Sequence, residues 1–214
     1  MRTANDVNRL YAEPDPWKIA SARFRDKMFR TRLSKFIRGK SVLELGCGEG
    51  HLTATAFQGA TAVKGIDISD VAIERAKALG LPYAQFQVGD FMSTSFAGYD
   101  VIAALECLYY LSQEEQQDFF NKVGREHKGK VLLVSGPIIG QRNHSVYFTH
   151  GGLLETFARH GFSVIEYRNM YTIRNGLVSN VASALLVRLP LTLFLMDLLP
   201  ETFIYQRLYA VTKA

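Results

Sequence analysis

The chain has 214 residues, 48% of them apolar and 21% charged, with a mean hydropathy of +0.00. These values describe one compact soluble domain and exclude a disordered chain, a collagen-like repeat and a multi-span membrane protein. Net charge is +5, but residues 1–40 hold eleven Lys or Arg against four Asp or Glu, so the excess belongs to the N-terminal stretch and the remainder carries −2. Such an arm suits phosphates or an anionic membrane surface, or is simply the solvated face of a helix. The opening MRTANDVNRLYAEPDPW has no apolar signal core, and Cys47 and Cys107 are too few for a disulfide framework, so a reducing cytoplasm is expected.

In chain order, the Pro14-Asp15-Pro16 breaker separates a short N-terminal helix from one over residues 17–38, where Trp17, Phe24, Met28, Leu33 and Phe36 recur at a rough helical period. Residues 1–39 are expected to form a helical lid or arm, with Trp17 beside the cleft to exclude water or, equally, as plain core. Residues 40–214 form the main domain. There, short apolar runs at 41–46, 62–67, 83–90, 99–105, 130–136 and 162–168 alternate with helical stretches at 69–79, 112–127 and 149–160. Ser69 and Ser112 are natural N-caps, and Gly80, Gly129 and Gly161 stand just past the helix ends. The alternation predicts an α/β, Rossmann-like, doubly wound and mostly parallel seven-stranded sheet with helices on both faces. Residues 177–200 read as a helical insertion before a last strand, since Arg188, Pro190 and Asp197 interrupt the apolar run 181–199 where a membrane would tolerate them badly. An interfacial membrane element is the alternative.

Chemistry concentrates in Glu44-Leu45-Gly46-Cys47-Gly48-Glu49-Gly50 at the end of the first strand, with Asp67 ending the second. Glycines allow a tight turn and close approach of a ligand. A dinucleotide site has GxGxxG and a pyrophosphate on the helix N-terminus. Here the spacing is GxGxG, with Glu44 ahead of it and Glu49 inside it. Two carboxylates repel a pyrophosphate and suit a ligand bearing an ammonium group and no phosphate, such as S-adenosylmethionine. Taken singly, the glycines close ordinary turns and Asp67 caps a helix; their combination in order is what carries the reading. No metal-binding pattern is seen.

These residues resemble the first motif of class I S-adenosylmethionine-dependent methyltransferases, and Asp67 in GIDIS resembles the second, over roughly residues 40–170. The resemblance implies S-adenosyl-L-methionine as cofactor and S-adenosyl-L-homocysteine as product. It implies that Gly46 and Gly48 face the methionine portion, that Asp67 binds the ribose hydroxyls, and that in GDF Asp90 reaches the adenine amino group with Phe91 beside the ring. Trp17, Glu44, Cys47, His51, Ile68 and Leu105 complete the expected cofactor contacts. Asp15-Pro16-Trp17 and Glu106-Cys107-Leu108-Tyr109-Tyr110-Leu111 further resemble the nodulation N-methyltransferase branch, which methylates an amino sugar oligomer. The aromatic–Glu–Lys pattern of that branch is not kept, since Phe24 is followed by Arg25.

Methyl transfer needs an acceptor held in line with an already electrophilic methyl, and an amine or hydroxyl acceptor must also lose a proton. Glu106, after the fourth strand, is the expected orienting group or base, with Tyr109 and Tyr110 as walls that hydrogen-bond the acceptor or merely pack. His144 and His150, after the fifth strand, are further candidate bases by virtue of imidazole titration near neutrality. The expected activity is methylation of N or O of a small metabolite or sugar-type acceptor by direct in-line displacement. Alternatives are a lipid or lipid-linked acceptor at a membrane surface, a non-catalytic cofactor-binding module, and a nicotinamide oxidoreductase. DNA is disfavoured, because Ala104-Leu105-Glu106-Cys107 stands where DNA amino-methyltransferases carry an Asn/Asp-Pro-Pro-aromatic motif. A small-molecule partner is expected, with weak membrane contact left open.

Overall fold

A computed structural model of the chain describes residues 3–17, 23–142, 145–172 and 191–214. Strands β1 (Ser41–Leu45), β2 (Ala62–Asp67), β3 (Ala84–Val88), β4 (Val101–Leu105), β5 (Val131–Pro137), β8 (Ser163–Thr172) and β9 (Ile204–Thr212) build a seven-stranded sheet in the order β3-β2-β1-β4-β5-β9-β8. The first five run parallel, and β9 inserts antiparallel between β5 and β8. The expected architecture is thus present, with one reversed strand. Strand order reverses direction between β1 and β4, which places the crevice of this doubly wound sheet at their carboxyl ends.

Helices α1 (Ala4–Leu10), α2 (Arg23–Ile37), α3 (His51–Ala56), α4 (Asp70–Ala78), α5 (Gln113–Glu126), α6 (His150–Arg159) and α7 (Leu191–Asp197) surround the sheet. Ser69 caps α4 by accepting from the Ala72 amide, and Ser112 closes a capping box with Glu115 at the start of α5. Side chains of the central strands alternate between two cores, as the two-residue period of a strand requires. Leu43, Leu45, Ile102, Ala104, Leu132 and Val134 pack with Phe119, Phe120 and Phe157 on one face. Val42, Val101, Ala103 and Leu133 pack with Met28, Phe29, Leu33, Ile37, Leu52 and Phe57 on the other.

The N-terminal region divides where a single lid over 1–39 was expected. Met28, Phe29, Leu33 and Ile37 of α2 are fully buried, so this helix is part of the core; α1 and the segment after it lie across the cleft. Residues 18–22 fall outside the described residues. A hairpin of β6 (Ile139–Arg142) and β7 (Ser145–Thr149) occupies a stretch that the sequence reading treats as loop. Its polar–apolar alternation is too short to stand out without the partner strand. Of the helical insertion expected over 177–200, α7 and the turn following it are described and residues 177–190 are not.

Candidate active site

A cavity of about 360 Å³ opens at the carboxyl ends of β1, β2 and β4, within the range of roughly 300–1,000 Å³ typical of small-molecule sites. Its floor is the glycine loop after β1. The amides of Gly46 and Cys47 donate to the Ile66 carbonyl, which folds the loop back onto β2. A Cβ on Gly46 would stand 2.6 Å from the Cys107 Cβ, and one on Gly48 would stand 2.6 Å from the Tyr11 hydroxyl; both residues have positive φ. Any side chain at either position would therefore strain the backbone and collide with Cys107 or Tyr11.

The cofactor residues expected from sequence converge here: Trp17, Glu44, Gly46, Cys47, Gly48, His51, Asp67, Ile68, Asp90, Phe91 and Leu105 all line the cavity. Asp67 accepts from the amides of Gly48 at 2.8 Å and Ser69 at 2.9 Å, which fixes its carboxylate at the mouth of β2 while burial raises its pKa. Asp90 accepts from the Met92 amide at 2.8 Å and is held in its own turn. Glu44 is 2% exposed and accepts from the Thr53 hydroxyl; burial pushes its carboxyl up to about 7. Cys47 and Cys107 are free and buried, with thiols pushed up by desolvation.

Electrostatics differ from the simple acidic turn that the sequence suggests. Arg75 donates to Glu49 Oε1 at 2.6 Å, while the Asp15 amide donates to Glu49 Oε2 at 2.9 Å and His51 lies 3.2 Å from the same oxygen. The charge of Glu49 is thus compensated by a helix α4 cation, and its carboxylate tethers the N-terminal segment. Asp15, Glu49 and His51 bring ligand-type atoms within 4.8 Å of one another around that tether. Arg25, from α2, lines the cavity with its Nη1 buried and without a hydrogen-bond partner. Sequence reading passes over it because nothing in its local pattern distinguishes it from the other basic residues of that stretch.

Segment 3–17 covers the cavity. Val7, Leu10 and Tyr11 contribute to the lining, and Tyr11 meets the half-exposed Trp17 edge to face at 5.2 Å. Asn8 fastens α1 to α4, donating to Asp70 at 2.7 Å and accepting from the Ser69 hydroxyl at 2.6 Å. These N-terminal residues also escape sequence reading, since their contacts lie about sixty positions away.

Glu106, Tyr109 and Tyr110 also line the cavity. Glu106 has φ 59°, a left-handed conformation unusual for a residue with a side chain. Its Oε1 accepts from Ser135 and Gln206, and burial raises its pKa. Tyr109 packs on Tyr110 at 4.6 Å and on Tyr147 of β7 at 5.1 Å. His150 is elsewhere: its Nδ1 lies 2.8 Å from the Tyr209 hydroxyl and its ring stacks on Tyr209, so it does not line the cavity. Placing it there from sequence fails because α6 starts beyond the hairpin, on the side of β9. His144 falls outside the described residues.

Residues 42–128 match a family model described as a methyltransferase domain. Among curated proteins, the ubiquinone biosynthesis O-methyltransferase of Pseudomonas savastanoi pv. phaseolicola is 30% identical over 120 residues, covering 47% of this chain and 51% of that protein. Its counterpart from Neisseria meningitidis is 31% identical over 83 residues, 35% of each chain. The chain spans about half the length, or less, of these relatives. Among solved structures, the N-methyltransferase NodS of Bradyrhizobium japonicum, in complex with S-adenosyl-L-homocysteine, superposes with a TM-score of 0.69 at 16% identity over 100% of this chain and 99% of that one. Magnesium protoporphyrin IX methyltransferase from Synechocystis, with bound S-adenosylmethionine, gives 0.67 at 14% identity with the same coverage. Residues 42–128 are thus similar to a methyltransferase domain, and the chain shares the fold of these two methyltransferase structures.

Proposed function

We propose that this protein transfers a methyl group from S-adenosylmethionine to N or O of a small metabolite or sugar-type acceptor. The observation that carries the reading is a single cavity lined both by the glycine turn with Asp67 and Asp90 and by Glu106, Tyr109 and Tyr110. The residues present fit the cofactor. Gly46 and Gly48 line the cavity and suit a methionine portion, the Arg25 Nη1 without a hydrogen-bond partner suits its carboxylate, and Glu44 suits its ammonium. Asp67 suits the ribose hydroxyls, and Asp90 with Phe91 the adenine.

When bound, the cofactor supplies an electrophilic methyl whose bond to sulfur breaks, leaving its electron pair on sulfur, as the acceptor's lone pair forms the new bond. The protein's part is to orient and to take a proton. Tyr109 and Tyr110 form the acceptor wall, and Glu106 receives the proton lost by an amine or hydroxyl. Trp17 and Tyr11 exclude water above the cleft. His144 remains a candidate base on its position in sequence.

Calorimetric titration tests the reading. S-adenosylhomocysteine is expected to bind and NAD to give no heat; binding of NAD alone would overturn it. A binding-competent protein that turns over none of a broad panel of amines, hydroxyls and amino sugars would instead be a cofactor-binding module.

A second reading has a specific observation behind it. Phe194, Leu195, Leu198 and Phe203 are exposed on and after α7, beside the basic helix α2. This favours a lipid or lipid-linked acceptor taken at a membrane surface. Among the described residues, no helix is long and apolar enough to cross a membrane.

A further inference from the structure

Three unfavourable features meet at one point beside the cavity. Glu106 holds a left-handed backbone, which costs about 1–3 kcal/mol in a residue with a side chain. Its carboxyl is largely withdrawn from water. Two fully buried polar side chains, Ser135 in the otherwise apolar β5 and Gln206 at the start of β9, have their side-chain hydrogen bonds directed to it. Ser135 Oγ donates to Glu106 Oε1 at 2.6 Å, Gln206 Nε2 donates to the same oxygen, and the Glu106 amide donates back to the Ser135 carbonyl at 3.0 Å. Oε2 has no hydrogen-bond partner among the described residues, and Glu106 lines the cavity. A packed core would be served better by apolar residues at all three positions, so their retention in one cluster points to the carboxylate's use.

We propose that Ser135 and Gln206 are positioning residues for Glu106: they occupy Oε1 and leave Oε2 directed to the acceptor, so that the antiparallel last strand completes the site. The inference rests on the methyl-transfer reading above. The acceptor's N–H or O–H bond breaks as its lone pair attacks, and the proton passes to Oε2, giving a neutral carboxyl. That carboxyl later releases the proton to solvent. The two donors also favour the ionised form, so that Glu106 can act as a base despite its burial. Charged and titratable groups facing it are Arg25 from α2, which favours ionisation, and Cys107 and Tyr109 beyond β4, whose own ionisation it disfavours.

The test reads Glu106 itself. Carbon-detected NMR titration of carboxylate-labelled protein, with the Glu106 signal assigned by its loss in Glu106→Gln, is expected to show the midpoint moving to higher pH in Ser135→Ala and in Gln206→Ala. Ser135→Thr, which keeps a hydroxyl, should restore it. With an acceptor found in the panel, the acid limb of the kcat profile should move in the same direction and kcat near neutrality should fall about ten-fold, with KM for the acceptor nearly unchanged. A midpoint indifferent to both alanine variants would overturn the proposal, as would a kcat profile indifferent to Glu106→Gln. Either variant alone suffices should the other fail to fold. Calorimetry with S-adenosylhomocysteine on the same variants separates this outcome from failure of the cofactor reading, because heat of binding should persist in all of them.

Discussion

Glu44 shows how one buried carboxyl sets a pH dependence. Withdrawn from water and supported by one hydroxyl, it has a folded-state pKa of about 7 against an ordinary 4.5. A carboxyl whose pKa is raised on folding contributes stability below its unfolded value, and that contribution is lost as pH rises through the folded one. The protein without ligand should therefore lose about 3 kcal/mol between about pH 4.5 and pH 7–8 on this account. Urea unfolding midpoints measured across that window should fall for the wild type and stay flatter for Glu44→Gln; parallel curves would show that Glu44 does not set the slope. Glu49 behaves differently at the same loop because Arg75 and the Asp15 amide engage both its oxygens. Two acidic residues five positions apart thus have separate tasks, one facing the cavity and one anchoring the chain above it.

Among the elements, the N-terminal pair is the most instructive. Both helices lie before the sheet, yet α2 buries Met28, Phe29, Leu33 and Ile37, whereas α1 has no buried residue and is fastened by polar contacts to α4. A lid is built from such weakly buried segments, which open at low cost. Removing residues 1–17 should leave the melting temperature nearly unchanged, since the core contributed by α2 remains. Turnover of an acceptor should fall by about 10²-fold through lost orientation and water exclusion, while affinity for S-adenosylhomocysteine falls far less. Turnover equal to that of the full chain would remove the lid from the mechanism. Truncation at residue 30 is a poorer experiment, because it also deletes Met28 and Phe29 from the core.

On the scale of the whole molecule, the exposed apolar residues of α7 adjoin the basic helix α2. Arg32 donates to the Leu193 carbonyl and pairs with Asp197 at 2.9 Å, which sets α7 against α2. Phe194 at 60% and Leu198 at 64% exposure then stand on and just after a helix held against the basic helix α2. If this face meets a membrane, the protein should sediment with phosphatidylglycerol vesicles and release them as salt is raised. Phe194→Ser and Leu198→Ser should each weaken partitioning on the order of ten-fold, the effect of withdrawing one buried apolar side chain. Wild-type protein left in the supernatant at physiological salt would restrict the acceptor to the aqueous phase.

Sheet class, the order of strands and helices, the capping serines and the glycine floor were legible from residue order, because each depends on neighbours within a few positions. So were most of the residues around the cavity, since strand ends in a doubly wound sheet bring their loops together by topology alone. What folding alone decided is who meets whom across the chain. Arg25 enters the cavity and Arg75 neutralises Glu49. Ser135 and Gln206 reach Glu106, and His150 turns away to Tyr209. These are pairings between residues as many as 100 positions apart, and a linear pattern carries no record of them. Direction and burial of a side chain depend on which strand inserts beside which, here a reversed β9 between β5 and β8.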